Sequence, residues 1–498
     1  MATTLIRKDA WNLSKVSTWD PNDQTLLWYA KAVGELSTRP ATDPTSWRFQ
    51  GAIHDYQTSF DPFVGLGPVA TQAIQDRFWG QCQHGSWYFL PWHRMYLGFF
   101  EQIVRAAVVH LGGPATWTLP YWNYSDKASA RSIPPAFRER HLPDGSPNPL
   151  FVIRGISIPR KSGINTGTPL SVQAVDTSVC LGETVFEADS TNGDPGFGGP
   201  QTLAEHGGAD NGALENIPHG PVHVGVGGLN PRGWMSDFRT AALDPIFWLH
   251  HANIDRLWSV WNRSDPSHTD PPEDAWKTDI AFEFNDSGGN IVSMTPSEVI
   301  DTAASQFSYD YDDAPDAESA AIRSLVVKPR PIPEMVGAST QPLTLTGGIH
   351  TTTVAVAAPS GPAAKPSIGF AETAQPAPKT FLNIENVSAE KPGSSYLVYV
   401  NLPANADPSS YQDHYAGMIS MFGVAEASVA SNRRPGTGLH YKFNITGLIE
   451  KLKARNAWNE KELKVSFVAE SAAEGGMQES AMAPHPPIQV GRVSLYHA

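Results

Sequence analysis

The chain has 498 residues, and 36 lysines and arginines against 50 aspartates and glutamates leave a formal net charge of −14, a balance that repels phosphate backbones and excludes nucleic acid as an expected partner. With 42 glycines, 42 prolines and only 17% charged residues it reads as a folded, loop-rich protein, long enough for one large unit with a smaller companion or about three domains. No apolar run approaches the ~18 residues of a membrane span. The start, MATTLIRKDAWNLS, has no signal-peptide apolar stretch, and Cys82 and Cys180 alone support no disulfide framework, so a cytoplasmic location is expected.

In chain order, residues 22–37 place Leu26, Leu27, Ala30, Val33 and Leu36 at helical spacing behind an Asn/Asp start signal, which predicts an amphipathic helix. A second helix is predicted from Pro91 to Leu111, with proline in its first turn and Gly112-Gly113 at its end. Residues 125–235, rich in Gly, Pro, Asn and Ser, read as long loops over a helical core. A short helix is expected from Pro218, and a long one from Pro245 to about Asn262 with Asp244 as its cap. Helical periodicity fades after Tyr311, and a boundary is expected near residues 335–341. Beyond it, alternating runs such as TFLNIENV, SYLVYVNLP, HYKFNIT, LKVSFVAE and IQVGRVSLY predict a small antiparallel β domain, interrupted by a Pro/Ala-rich spacer at 357–379.

Six of the sixteen histidines fall into two sets. The first is His54 with His84 and His93 of QHGSWYFLPWH; the second is His219 and His223 of PHGPVH with His251 of DPIFWLHHANIDR. On a helix, His219 and His223 four apart face the same way and can share one ion. His251 and Asp255 stand in the same relation, which makes Asp255 a candidate to orient the His251 ring. Phe247, Ile254 and Trp258 share that face and would bury the ligand. Imidazole-only ligation suits copper, zinc, iron or nickel, with the affinity order favouring copper.

Residues 84–96, HGSWYFLPWHRMY, resemble the copper-A signature of tyrosinases, catechol oxidases and molluscan-type haemocyanins, and residues 244–256, DPIFWLHHANIDR, resemble their copper-B signature. LPYWNY at 119–124, Arg7, and Tyr309-Asp310-Tyr311 agree with the same family, so the resemblance covers roughly residues 5–330. LENIPHGPVH at 214–223 is especially similar to plant polyphenol oxidases. The resemblance implies a mainly α catalytic domain with a four-helix core (residues 1–335) and an antiparallel β domain (336–498) of the kind that covers the copper mouth in plant relatives. Two copper ions are implied, copper A on His54, His84 and His93, copper B on His219, His223 and His251, with His250 as the neighbour of the last ligand. The implied activity is oxidation of small phenols by dioxygen: o-diphenols to o-quinones, with hydroxylation of monophenols as a further capacity. The alternative is a haemocyanin-like oxygen carrier, and a plainer one is a zinc protein. No membrane partner is expected.

Several residues carry two readings each. Cys82, two before His84, is either the thioether partner of that ring, as in fungal relatives, or a buried thiol. Glu215 resembles the acidic residue that holds a water at the coppers in plant enzymes, against a surface or helix-start carboxylate. Phe238, thirteen before His251, matches a gate over copper A, against ordinary core packing. His110 reads as a helix-end histidine interacting with the dipole. Gly220 stands where many monophenol-hydroxylating relatives carry an asparagine. In YAGMISMFG, at 415–423, Met418, Met421 and Phe422 are candidates for an apolar plug, against a core strand.

Overall fold

The computed structural model describes residues 4–14, 17–56, 67–154, 163–188, 193–204, 208–228, 232–314, 332–357, 379–430, 436–470 and 486–498. The chain divides into two units, residues 1–187 with 196–325 and residues 188–195 with 326–498. Among the described residues no helix is long and apolar enough to cross a membrane.

The first unit is helical. Strand β1 (Leu5–Arg7) precedes helix α1 (Thr25–Thr38), which buries Leu26, Tyr29, Ala30, Val33 and Leu36 along one stripe. Helix α2 (Trp47–His54) is capped by Ser46, whose side chain accepts from the Phe49 N–H, and α3 (Gln72–Phe78) comes next. Helix α4 (Phe89–His110) begins two residues before Pro91, so the proline sits in the first turn, where its missing N–H is not needed. Among the described residues of 125–235 most of the chain runs in short single turns, with α-helices at α5 (Ser178–Leu181) and α6 (Gly220–Gly227). Helix α6 starts at Gly220 rather than Pro218: Ile217 is extended (φ −145°, ψ 122°), as suits a residue before proline, and its backbone interrupts the turn Glu215–His219 ahead of the helix. Helix α7 (Pro245–Ser264) has the expected cap, Asp244 accepting from the Ile246 N–H at 3.1 Å. A small hairpin, β2 (Phe282–Asn285) with β3 (Ile291–Met294), and strand β4 (Tyr309–Tyr311) complete the unit.

Five residues tie these elements together. Strand β4 pairs in parallel with β1, Leu5 opposite Tyr309 and Arg7 opposite Tyr311. This brings Arg7, Tyr309 and Tyr311 to Asp255 on α7, which also meets Arg94 on α4. The Asp255 carboxylate accepts from Arg94 Nε (2.5 Å), Arg7 Nη1 (3.2 Å) and the hydroxyls of Tyr309 and Tyr311 (2.5 Å each). Arg7 also donates to Glu101 (2.7 Å), and its guanidinium lies 3.6 Å from the centre of the Tyr309 ring. All of these side chains are buried.

The second unit is an antiparallel sheet of nine strands: β5 (Glu334–Ser339), β6 (Leu343–Leu345), β7 (Ile349–Val356), β8 (Thr380–Ser388), β9 (Tyr396–Val400), β10 (Tyr415–Ile419), β11 (Leu439–Asn444), β12 (Glu462–Ala469) and β13 (Ile488–His497). They lie in the order β10-β9-β12-β7-β5-β13-β8-β11, with β6 beside β13. Alternate side chains such as Val354, Leu382, Ile384, Val398, Val465 and Val493 build its core. Strand β5 crosses the expected boundary at 335/336, because its backbone is committed to β13 and β7. Met421 belongs to this unit's own core, which corrects its reading as a plug. The spacer reading at 357–379 falls almost wholly on residues 358–378, outside the described residues.

Burial alone would push the Asp255 carboxyl up, but the Arg94 and Arg7 guanidiniums and the two tyrosine hydroxyls hold it below the ordinary aspartate value. A carboxyl depressed in the folded state contributes stability that is fully present above the unfolded pKa and lost as pH falls through the folded one. Asp255→Asn, which strands two buried guanidiniums, is expected to destabilise the chain by ~3–5 kcal/mol in urea unfolding followed by tryptophan fluorescence. A change below ~1 kcal/mol, the range of an exposed ion pair, would show that the cluster does not hold these elements.

Candidate metal centre

The histidines singled out in the sequence converge. His54 ends α2, His93 lies in the first turns of α4, and His84 stands in the loop between α3 and α4. With Cys82 they form one buried group whose candidate ligand atoms all lie within 4.8 Å of one another. His219, just before α6, His223 within it, and His250 and His251 on α7 form a second such group. The two groups meet where the His93 and His251 rings stack, with centroids 4.5 Å apart and planes 12° from parallel.

Ring orientation is set by backbone carbonyls. His54 Nδ1 lies 3.0 Å from the Phe238 oxygen, His93 Nδ1 2.7 Å from the Phe89 oxygen, and His223 Nδ1 2.9 Å from the Met235 oxygen. A nitrogen facing a carbonyl carries the proton, so in the neutral ring Nε2 keeps its lone pair. Burial favours the neutral form of four of the rings: it drives His93 down to about 3, its effect opposed by the Phe89 carbonyl and assisted by His250, and drives His219, His223 and His251 well below the usual histidine value. His223 Nε2 then lies 3.3 Å from His251 Nε2, an approach of ring nitrogens that a shared cation reconciles. Buried imidazoles in sets of three, with ring nitrogens gathered within 4.8 Å of one another, fit a pair of copper ions.

Around the rings the apolar packing is close. Phe247 lies 4.9 Å from His54 and 4.2 Å from His251, wedged between the groups. Phe238 stacks on His84 at 4.5 Å and meets His54 edge-on at 5.8 Å, so it lies over the first group. Phe89 touches both His93 (4.6 Å) and His219 (4.8 Å); sequence reasoning missed it, although its place four residues before His93 on a helix is the signal for it. The anchoring carbonyls of Phe238, Phe89 and Met235 left no signal, because every residue has one.

Glu215 is buried, which removes the surface-carboxylate reading. Its oxygens accept from the Gly85 N–H at 3.1 and 2.9 Å, and its carboxylate lies among His84 and His219 within the same 4.8 Å. Burial pushes its carboxyl up to about 8 against the lowering effect of the Gly85 N–H. Gly220 is buried at the first position of α6, beside His219. Cys82 Sγ lies 2.9 Å from His84 Nδ1 and 3.6 Å from His93 Nε2, a position that serves the thioether and the thiol readings alike; burial pushes its thiol well up. His110 is the last residue of α4 and exposed, as a helix-end histidine should be.

Asp255 requires a correction. It stands one turn after His251, but no hydrogen bond joins its carboxylate to the His251 ring. Two buried guanidiniums and two phenols claim it, and charge-assisted hydrogen bonds to arginine are stronger than one to a neutral imidazole. Asp255 supports the centre through the helices, not through the ring.

Residues 44–175 and 183–264 match the family described as the common central domain of tyrosinase, and residues 332–498 match a domain family described as of unknown function. A tyrosinase from Hahella sp. (strain CCB-MM4) is 34% identical over 97% of this chain and 99% of its own length. Plant relatives include polyphenol oxidase A1 of Vicia faba, 30% identical over 59% of this chain; the chain matches only 46% of that protein's length. Among solved structures, latent apple tyrosinase superposes with a TM-score of 0.59 at 21% identity, over 100% of this chain and 98% of that one, and a latent aurone synthase with 0.61 at 19%, over 100% and 90%. The mainly α unit followed by an antiparallel sheet is their fold. The chain belongs to the tyrosinase family of dicopper enzymes, which oxidise phenols with dioxygen.

Proposed function

We propose that the protein is an o-diphenol oxidase, with copper A on His54, His84 and His93 and copper B on His219, His223 and His251. The observation that carries this reading is the junction of two buried histidine sets at the stacked His93 and His251 rings. When bound, the copper pair supplies the two-electron exchange with dioxygen. The chain's residues do the rest: Phe247 and Phe89 exclude water from the histidines, Phe238 limits approach at copper A, and Glu215, fixed by the Gly85 N–H, stands where it can orient a water and receive a phenol's proton. An oxygen carrier would use the same histidines, but the relatives are named as tyrosinases and polyphenol oxidases, which favours turnover.

Two copper ions per chain are expected by elemental analysis. Their removal by a chelator should lower the melting temperature, since an ion held only by the folded chain stabilises it by about 2.7 kcal/mol at a hundredfold excess over Kd. An unchanged melt on chelation would overturn the ligand sets.

Diphenol oxidation should exceed monophenol hydroxylation, because Gly220 offers no side-chain amide to share the water held by Glu215. Gly220→Asn is expected to raise the ratio of monophenol to diphenol turnover at unchanged copper content; an unchanged ratio would refute the water arrangement.

We also propose that the C-terminal unit keeps the enzyme partly latent, a reading supported by solved structures that match the full length of this chain and are named as latent enzymes, the apple tyrosinase and the aurone synthase among them. Mild proteolysis is expected to raise catechol turnover without changing copper content. A chain ending near residue 333 that stays folded and metal-loaded, yet is no faster than the full chain, would rule this out.

A further inference from the structure

Three ligands suffice for copper B, yet the second group contains four imidazoles. Ligand atoms of His219, His223, His250 and His251 all lie within 4.8 Å of one another, and all four side chains are buried. The His250 ring packs nearly parallel to His219 at 5.5 Å and 15°, meets His223 edge-on at 4.9 Å and lies 5.2 Å from His251.

Buried histidines with a purely structural place in this fold are satisfied by the backbone. His268 Nδ1 bonds the Trp261 carbonyl at 2.8 Å, and His414 Nδ1 the Val400 carbonyl at 2.8 Å. His250 differs. Its ring has only a loose hydrogen bond to the His219 backbone, outside the close geometry of those two, and that bond leaves at least one ring nitrogen without a partner. An unsatisfied buried polar group costs stability, ~1–3 kcal/mol, where a leucine or phenylalanine would pack without that loss. An imidazole retained there among three others is a ligand's environment.

Successive residues of a helix point about 100° apart, and the two rings accordingly face different ways. His251 stacks on His93 of the first group, at 4.5 Å, while His250 faces the Tyr124 ring at 5.7 Å. We propose that His250 is a reserve ligand of copper B, completing with His219 and His223 a second three-imidazole set that holds the ion on the side away from copper A. The inference rests on the reading of His219, His223 and His251 as the copper-B ligands.

The test uses the full chain, stripped of copper and reloaded with excess cupric ion, in wild type, His250→Ala, His251→Ala and the double variant. Copper per chain is measured after removal of unbound ion, together with the electron paramagnetic resonance of the bound ion and the melting temperature of each copper-free protein. Wild type and His250→Ala are expected to hold two ions. His251→Ala is expected to hold two as well, but with a new cupric resonance, since an ion drawn toward His250 loses the magnetic coupling that silences a close pair. The double variant should hold one. If His251→Ala falls to one ion, like the double variant, or if the double variant keeps two, the reserve ligand is overturned. If instead His250→Ala falls to one while His251→Ala keeps two and stays silent, His250 is the primary ligand and the underlying assignment is what fails. Should His251→Ala lower the copper-free melt, His251→Gln, which fills the volume, replaces it in the same comparison.

Discussion

One carboxylate, buried and shared by two guanidiniums and two phenols, sets the geometry on which the metal centre depends. Asp255 lies a turn beyond His251 on α7, and Arg94 follows His93 on α4, so their 2.5 Å contact fixes the two ligand-bearing helices next to their ligands. Arg7 and the tyrosines Tyr309 and Tyr311 reach the same carboxylate from β1 and β4, elements separated by some 300 residues of chain and brought together by a three-residue parallel pairing. Burying so many polar groups is a poor way to gain net stability, because desolvation offsets most of the attraction. Its return is registry: the partners converge on the carboxylate in one arrangement, and in that arrangement the His93 and His251 rings stack.

The loops add a second constraint. Three of the rings are turned by backbone carbonyls, and two of those, from Met235 and Phe238, come from the irregular stretch just before α7. A side chain in that role could swing; a carbonyl held in a chain of short turns cannot. The Gly- and Pro-rich composition that looked like mere connection therefore sets positions at the metal, and the stretch that supplies the carbonyls also carries Phe238 over His84.

Much of this was legible in the sequence, and the parts that were not share a cause. Helices α1, α4 and α7 announced themselves by periodicity and caps, and most strands of the second unit by alternation. Helix α2 did not, although it carries His54, because eight residues are too few to establish a helical period. Asp255 shows the limit of local spacing. An i, i+4 relation says that two side chains can meet, not that they do, and the winners here were residues 7, 94, 309 and 311, which no local rule brings together. His250 fell outside the expected ligand set because the family pattern selects its neighbour; only the packing of the rings shows that it shares the pocket.

The true partners of Asp255 also bear on the chemistry. Had its carboxylate bonded to the His251 ring, part of a negative charge would have reached copper B through the ligand. Instead that charge is taken up by Arg94 and Arg7, and burial favours the neutral form of the His251 ring. Among the described residues that group with the centre's histidines, Glu215 is the one carboxylate, and its two oxygens are engaged by the Gly85 N–H. Two copper ions on such ligands keep most of their charge, in a pocket of low polarity where that charge is felt strongly. A centre of this kind attracts an anion, and a phenol that surrenders its proton on entering becomes one. The same clamp that sets the helices thus leaves the centre electron-poor, which is the condition under which a phenol is a good ligand and an easily oxidised one.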